Sequence, residues 1–342
     1  MSDTQANRPI VAIAGGSSGI GRCTAGWFAA RGWNVAVIAR GQAGLEATLA
    51  DVRRAGAQGC FAIADVSDPD AIEAAVEQIE TELGPIDAWI NVAGISSYGR
   101  FLDVPDRDYR RVTDVTYLGT VHGTRAILPR MMRRGHGSIV NIGSAIAKRA
   151  VPLQTAYSGA KHAVAGFTEA LRAELIHEGS KVQLSIVHPP SVNTPFFQHA
   201  GNHMGQGVPR PPPPVYAPEV VADAIFLAVT TGRREVKVGG QTAAFALLNT
   251  VAPGLLDQAL GLFGFVSQAS FKPEAMRNRQ ENLYDPPAGA QPVHGVFDGW
   301  ERRHSLQMAA NRNPGLAALV VGLGVLSLVA WCESGRGRRP RA

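Results

Sequence analysis

Residues 10–30 restrict the fold more than any other part of the chain. The run IVAIAG at 10–15 enters GGSSGIG at 15–21 without a spacer, and an apolar helical pattern follows from Cys23 to Ala30. A continuous run of branched and small apolar residues belongs to a strand buried on both faces of a parallel sheet. Gly15, Gly19 and Gly21 let the backbone turn sharply and approach a ligand closely, with Ser17, Ser18 and Ile20 completing the turn. The helix that opens near Gly19 aims its free N–H groups at a phosphate. In this order the three pieces make a dinucleotide-binding unit.

The alternation continues to about residue 240. A second strand, NVAVIAR at 34–40, ends at Arg40, where a cation favours a 2′-phosphate and an acid would accept ribose hydroxyls instead. Arg40 therefore predicts NADP, with NAD the lesser alternative. A helix over 42–55, a strand at 59–63 ending at Asp65, a helix over 70–83 and the strand IDAWIN at 86–91 follow. Short links between them predict an α/β fold, a doubly wound parallel sheet. The strand at 86–91 runs into NVAG, Asn91 to Gly94, whose small residues let backbone lie against a flat ligand. One long helix is expected over 106–134, with Arg130, Arg133 and Arg134 read as its solvated C-terminus. The strand GSIVNIG at 137–143 delivers Ser144 at its carboxyl end, where open α/β sheets bind ligands.

Tyr157 and Lys161 are four positions apart on the next helix, hence on one face. A neighbouring ammonium stabilises a phenolate, so Lys161 is expected to draw the Tyr157 pKa down from about 10 towards neutrality. Tyr157 then exchanges a proton with a substrate oxygen that the Ser144 hydroxyl orients. Tyr-x-x-x-Lys is common on helices; it carries weight here because a cofactor turn precedes it.

Size and composition agree with an enzyme body. The 342 residues, 45% hydrophobic and 18% charged, suffice for a full core. The net charge of +5 owes much to Arg336, Arg338, Arg339 and Arg341 in the tail, so nucleic acid is not implied. Cys23, Cys60 and Cys332 lie far apart without a C-x-x-C pair, which points away from zinc or a disulfide framework and towards a reducing compartment. The opening MSDTQANRP lacks signal-peptide character, so export is not expected, and NADP chemistry, which needs the cell's nucleotide pool, predicts a cytoplasmic catalytic domain.

These motifs together resemble the short-chain dehydrogenase/reductase family over about residues 9–240, which implies a Rossmann fold. AGGSSGIG resembles its TGxxxGxG turn, with Ala14 in place of the threonine, and NVAG stands for its NNAG. Ser144 precedes Tyr157 by the family's common spacing, and HPPSVNTPFF at 188–197 resembles its PG-x-x-x-T segment. The resemblance implies that Asp65 and Val66 flank the adenine and that Asn91, Ala93 and Gly94 line the cofactor. It implies further that Pro189, Val192 and Thr194 hold the nicotinamide carboxamide, and that Lys161 also binds the nicotinamide ribose while Tyr157 acts as acid or base. Thr116 stands where the family's fourth catalytic residue, an asparagine, is expected, and Pro190 replaces a glycine. The implied activity is NADP(H)-dependent interconversion of a carbonyl and a primary or secondary alcohol, with pairing into homo-oligomers. A non-catalytic NADP-sensing or scaffolding protein, or a soluble reductase of sugars or small ketones, are the alternatives.

Four segments follow: 1–240 as the catalytic domain, 241–283 as an apolar helical cap, 284–313 as a linker and 314–342 as a membrane-associated helix with a basic tail. Residues 198–218, with Gly201, Gly205, Gly207 and Pro211 to Pro214, have no periodicity and read as a mobile lid. The stretch 243–266 is apolar but broken by Pro253 and Asp257, so it is not one membrane span. It suits a cap over the substrate cleft and an apolar or amphipathic substrate, with an amphipathic surface dipping into lipid as the alternative. Residues 315–331, GLAALVVGLGVLSLVAW, are uncharged and long enough for a short bilayer span.

Overall fold

The computed structural model describes residues 8–272, 279–297, 299–313 and 315. In chain order the elements are β1 Ile10–Ala14, α1 Gly19–Ala29, β2 Asn34–Ala39, α2 Gln42–Arg54, β3 Gly59–Ile63, α3 Pro69–Glu82, β4 Ala88–Asn91, β5 Ser97–Gly99 and α4 Asp106–Thr113. A π-helical turn at Asp114–Leu118 joins α4 to α5 Gly119–Arg134, followed by β6 Ser138–Ile142, α6 Thr155–His177 and β7 Gln183–His188. Then come β8 Ser191–Val192, α7 Phe196–His199, β9 Gly201–His203, β10 Val208–Pro209, β11 Val215–Tyr216, α8 Pro218–Thr231 and β12 Glu235–Lys237. Beyond the body lie α9 Gly240–Val251, α10 Pro253–Gln268, β13 Ala269–Ser270, β14 Glu301–Arg302 and a short helix Leu306–Arg312.

Seven strands form one parallel sheet in the order β12-β7-β6-β4-β1-β2-β3. Every residue of β1, β4 and β6 is buried, as strands covered on both faces require; β1 is wholly apolar, and β4 and β6 bury Asn91 and Asn141 against each other. One apolar layer gathers Phe28, Leu45, Val221 and Ile225 from α1, α2 and α8; the opposite one gathers Ile72, Ile127, Met131 and Ala160 from α3, α5 and α6. Ala14 pairs with Ile38 on one side and Asn91 on the other, so the connections diverge at the carboxyl end of β1. At that divergence a crevice opens between the loops after β1 and β4.

The expected 106–134 helix is interrupted by the π turn at 114–118. Its C-terminus is also less solvated than expected. Arg130 reaches Glu73 at 2.6 Å and Glu80 at 3.2 Å, and Arg134 binds Glu80 at 2.7 Å, clamping α5 to α3; Arg133 stays exposed. The lid stretch is tied by short pairings, β9 to β5, β10 to β13 and β11 to β8 and β14. Residues 284–313, read as a linker, lie against the body: β14 extends β11, and Asn311 Nδ2 donates to the Lys237 carbonyl at 2.9 Å. Among the described residues no helix is long and apolar enough to cross a membrane. The expected span at 315–331 lies outside them apart from Gly315.

Candidate active site

A cavity of about 460 Å³ opens at the carboxyl end of the sheet. Gly15, Ser17, Ser18, Gly19, Ile20 and Gly21 form its floor, Arg40, Asp65 and Val66 one end, and Ser144, Tyr157 and Lys161 the other. Ala93, Gly94, Pro189, Val192 and Thr194 line it as well, Ala93 against Gly15 and Thr194 against Gly19.

The glycine turn is shaped by absent side chains. Gly15 has φ +100° and Gly19 φ +48°, backbone that favours glycine. A Cβ on Gly21 would stand 2.0 Å from the Gly15 carbonyl oxygen, and one on Gly15 2.5 Å from the Ala93 nitrogen. The result is a narrow cradle with α1 starting inside it, which fits the pyrophosphate of a nicotinamide dinucleotide. Ala93 and Val192, both apolar, line the same cavity and suit contact with a flat ring. The residues present therefore fit such a cofactor.

Asp65 sits 2.5 Å from Arg111 and 3.9 Å from Arg40. Partial burial works against its charge, yet the Arg111 guanidinium and two hydrogen bonds from Ser67 hold its carboxyl below the usual range. Arg111 drew no attention in the sequence, because its partner is distant in the chain.

Asn91 does not line the cavity. Its Oδ1 accepts from Trp89 Nε1 at 2.7 Å, and its Nδ2 donates to Asn141 Oδ1 at 2.8 Å, while Asn141 Nδ2 continues to Thr168 at 3.0 Å. The side chain thus points into the sheet as part of a satisfied buried network, and only the backbone after it borders the cleft. Alternation along β4 explains this: a polar residue at a strand end has its direction set by the pleat.

Thr116 lies outside the cavity lining too, fully buried in the π turn. Its hydroxyl accepts from the Ile95 nitrogen at 3.1 Å and faces the Ile95 carbonyl at 3.2 Å. Its own carbonyl accepts from the Thr120 hydroxyl at 3.1 Å. Thr116 therefore fixes the strand-end loop carrying Gly94 and Ile95.

Tyr157 keeps part of its surface open to the cavity, whereas Lys161 is 2% exposed. The ammonium lies 5.6 Å from the centre of the Tyr157 ring and donates to the Ile142 carbonyl at 2.6 Å, tying α6 to the strand that delivers Ser144. Here the electrostatics depart from expectation. Burial pushes the Tyr157 phenol above its ordinary value and lowers Lys161 to about 7. Both groups leave water together, and burial is the cause of both shifts. At neutral pH Tyr157 consequently holds its proton. The Ser144 oxygen accepts from the Ile146 nitrogen at 3.2 Å, and the side chain lines the cavity.

His188 was missed in the sequence, hidden in a motif valued for its prolines. It is fully buried with Nδ1 at 3.0 Å from the Ser144 carbonyl and Nε2 at 3.3 Å from Glu235, whose other partner is Lys148 at 2.9 Å. Burial first, then the Lys148 charge, lowers its pKa to about 4, so it is neutral under the Ser144 loop. Between about 6.5 and 4 the unfolded chain binds this proton and the folded one does not. The contribution is present above about pH 6.5 and lost as pH falls towards 4, on the order of 2–3 kcal/mol. Urea unfolding at steps from pH 7 to 4 should show that loss, and His188→Gln should flatten it.

The substrate end is walled by Tyr98, Phe196, Phe197 and Pro212 to Pro214, with Gln241 and Phe245 of α9 above. The two extra helices are seated on the loop before Tyr157: Gln268 Nε2 donates to the Pro152 carbonyl at 2.9 Å, and Arg149 binds Asn249 at 2.9 Å. Gly264 allows the close approach, since a Cβ there would meet Pro152 at 2.6 Å.

Comparison with known proteins agrees with this geometry. Residues 9–205 match the family described as short chain dehydrogenase. The uncharacterized oxidoreductase YxnA of Bacillus subtilis is 32% identical over 330 residues, covering 96% of this chain and 91% of that protein. An actinorhodin polyketide ketoreductase with NADPH is 34% identical with a TM-score of 0.54, covering 57% of this chain and 74% of that one. A short chain dehydrogenase from Mycobacterium paratuberculosis bound to NAD is 25% identical with a TM-score of 0.61, covering 71% and 100%. With sheet order, glycine cradle and the Ser144, Tyr157 and Lys161 cluster in one cleft, the chain belongs to the short-chain dehydrogenase family of oxidoreductases.

Proposed function

We propose that the protein is an NADP(H)-dependent oxidoreductase that interconverts a carbonyl and a primary or secondary alcohol on an apolar or amphipathic substrate. The observation that carries the reading is that Ser144, Tyr157 and Lys161 line the same cavity as the glycine cradle. The bound dinucleotide supplies or accepts a hydride at its nicotinamide. The glycine turn and α1 hold the pyrophosphate, Val66 and Asp65 border the adenine, and Thr194 and Val192 hold the nicotinamide end. Ser144 donates a hydrogen bond to the substrate carbonyl and fixes its position. Tyr157, protonated at neutral pH, gives its proton to the same oxygen as charge develops there. Lys161 faces the phenol ring and stabilises the phenolate left behind.

The aromatic and proline walls favour apolar carbon around the carbonyl. Leu247, Leu248, Val251, Leu255, Leu262, Phe263 and Val266 on α9 and α10 are exposed, which supports association of this end with a membrane surface. Ketones and aldehydes graded by chain length, assayed with NADPH and NADH, test the reading. Rates should rise with chain length and favour NADPH. Arg40→Asp should reverse the coenzyme preference by about 100-fold or more, since a carboxylate repels a 2′-phosphate and accepts ribose hydroxyls. Unchanged preference would remove NADP from the proposal.

A further inference from the structure

Residues 282–292 lie beyond residues 9–205, the part that matches the family, yet they line the cofactor end of the cavity. We propose that this strap is the outer wall of the dinucleotide site and has to lift for the cofactor to enter or leave. The inference rests on the reading of the cavity as a nicotinamide dinucleotide site.

The strap is held by its own carbonyls. Arg40 donates to the carbonyls of Asn282 and Tyr284 at 2.5 and 2.6 Å, and Arg111 Nε to that of Leu283 at 2.6 Å. Arg22 donates to the Gln291 carbonyl at 2.7 Å, and the Gly19 nitrogen to the Pro292 carbonyl at 3.1 Å. Leu283 is 3% exposed and anchors the strap in the sheet's apolar layer. The strap therefore touches both phosphate-recognition points, the cation at the end of β2 and the first turn of α1.

The strap takes one donor of the turn, the Gly19 N–H, yet it borders the cavity and does not fill it. Pro286, Pro287, Gly289 and Gln291 line the same cavity as the glycine turn, with space left between. Two consecutive prolines carry no N–H groups and fix φ, so the bridge over the opening is stiff and leaves no donor unsatisfied. A dinucleotide in that space has the cradle on one side and the strap on the other. Arg40 has five N–H donors, of which the strap carbonyls use two, so a 2′-phosphate and the strap share one guanidinium. Passage in or out requires these backbone contacts to break together, which makes exchange slow relative to an open groove.

A covalent lock tests this. A Cβ built on Gly41 lies 3.3 Å from Pro286 Cβ, near disulfide range, and Gly41 has φ −95°, open to any side chain. The variant Gly41→Cys, Pro286→Cys with Cys332→Ser is loaded with NADPH while reduced, oxidised, and followed by nicotinamide fluorescence after gel filtration; mass spectrometry verifies the bond. Release is expected to slow at least about 100-fold on oxidation and to recover with dithiothreitol. The variant oxidised while empty should fail to take up NADPH. As a lock-free counterpart, Leu283→Asp, which places a charge under the strap, should speed release about tenfold or more. Binding with equal exchange in both redox states, or unaltered release from Leu283→Asp, overturns the wall alone. Wild-type protein that binds neither NADPH nor NADH overturns the dinucleotide reading with it.

Discussion

Tyr157→Phe should lower carbonyl reduction by about 10³-fold or more while leaving NADPH affinity within about threefold. The substitution removes one oxygen and keeps the ring, which packs against Phe196 with centroids 5.3 Å apart, so the helix and the cleft wall persist. What disappears is the proton that burial keeps on the phenol at neutral pH. The neighbouring titratable groups are placed otherwise: Lys161 lies 5.6 Å from the phenol ring centre and donates to the Ile142 carbonyl, and His188 is buried and neutral beneath the Ser144 backbone. Steady-state rates on the best carbonyl of the graded panel, with fluorescence titration of NADPH, separate the two effects. A scaffolding or sensing protein would lose nothing measurable, so an unaltered rate argues for that alternative.

Gly21→Ala should weaken NADPH binding by at least about 100-fold, more than any single loss of a phosphate hydrogen bond. The new methyl would overlap the Gly15 carbonyl, 2.0 Å away, and also approach the Gly16 Cα at 3.0 Å. Both neighbours are backbone, so the strain is relieved only by opening the turn, which spreads the cradle and turns α1 away from the phosphates. Because Gly15 itself abuts Ala93, the displacement reaches the loop after β4. Fluorescence titration and thermal unfolding of the same variant check it. The account expects lost affinity with the sheet retained, since the change lies beyond the carboxyl end of β1 and not in the apolar layers.

The sheet was legible because its strands are predominantly apolar runs and its first turn is marked by glycine, features that act locally. The cluster of Ser144, Tyr157 and Lys161 was legible from spacing on one helix and one strand end. The interruption at Thr116 was not, since a π turn leaves no distinct periodicity over five residues. Asn91 was misplaced because sequence names a residue but not the face to which the pleat turns it. The opposing shifts of Tyr157 and Lys161 depend on burial, which the four-residue spacing does not encode. Arg111, His188 and the strap were hidden for a common reason: each acts through a partner more than forty positions away.

The most direct measurement follows an isotope. Protein incubated with NADPH carrying deuterium at the transferable C4 position and a medium-chain ketone should yield an alcohol with that deuterium on its carbinol carbon, and Tyr157→Phe should make almost none. Product without deuterium, or label transfer that survives Tyr157→Phe undiminished, would contradict the assignment of this cleft as the place where hydride and proton meet.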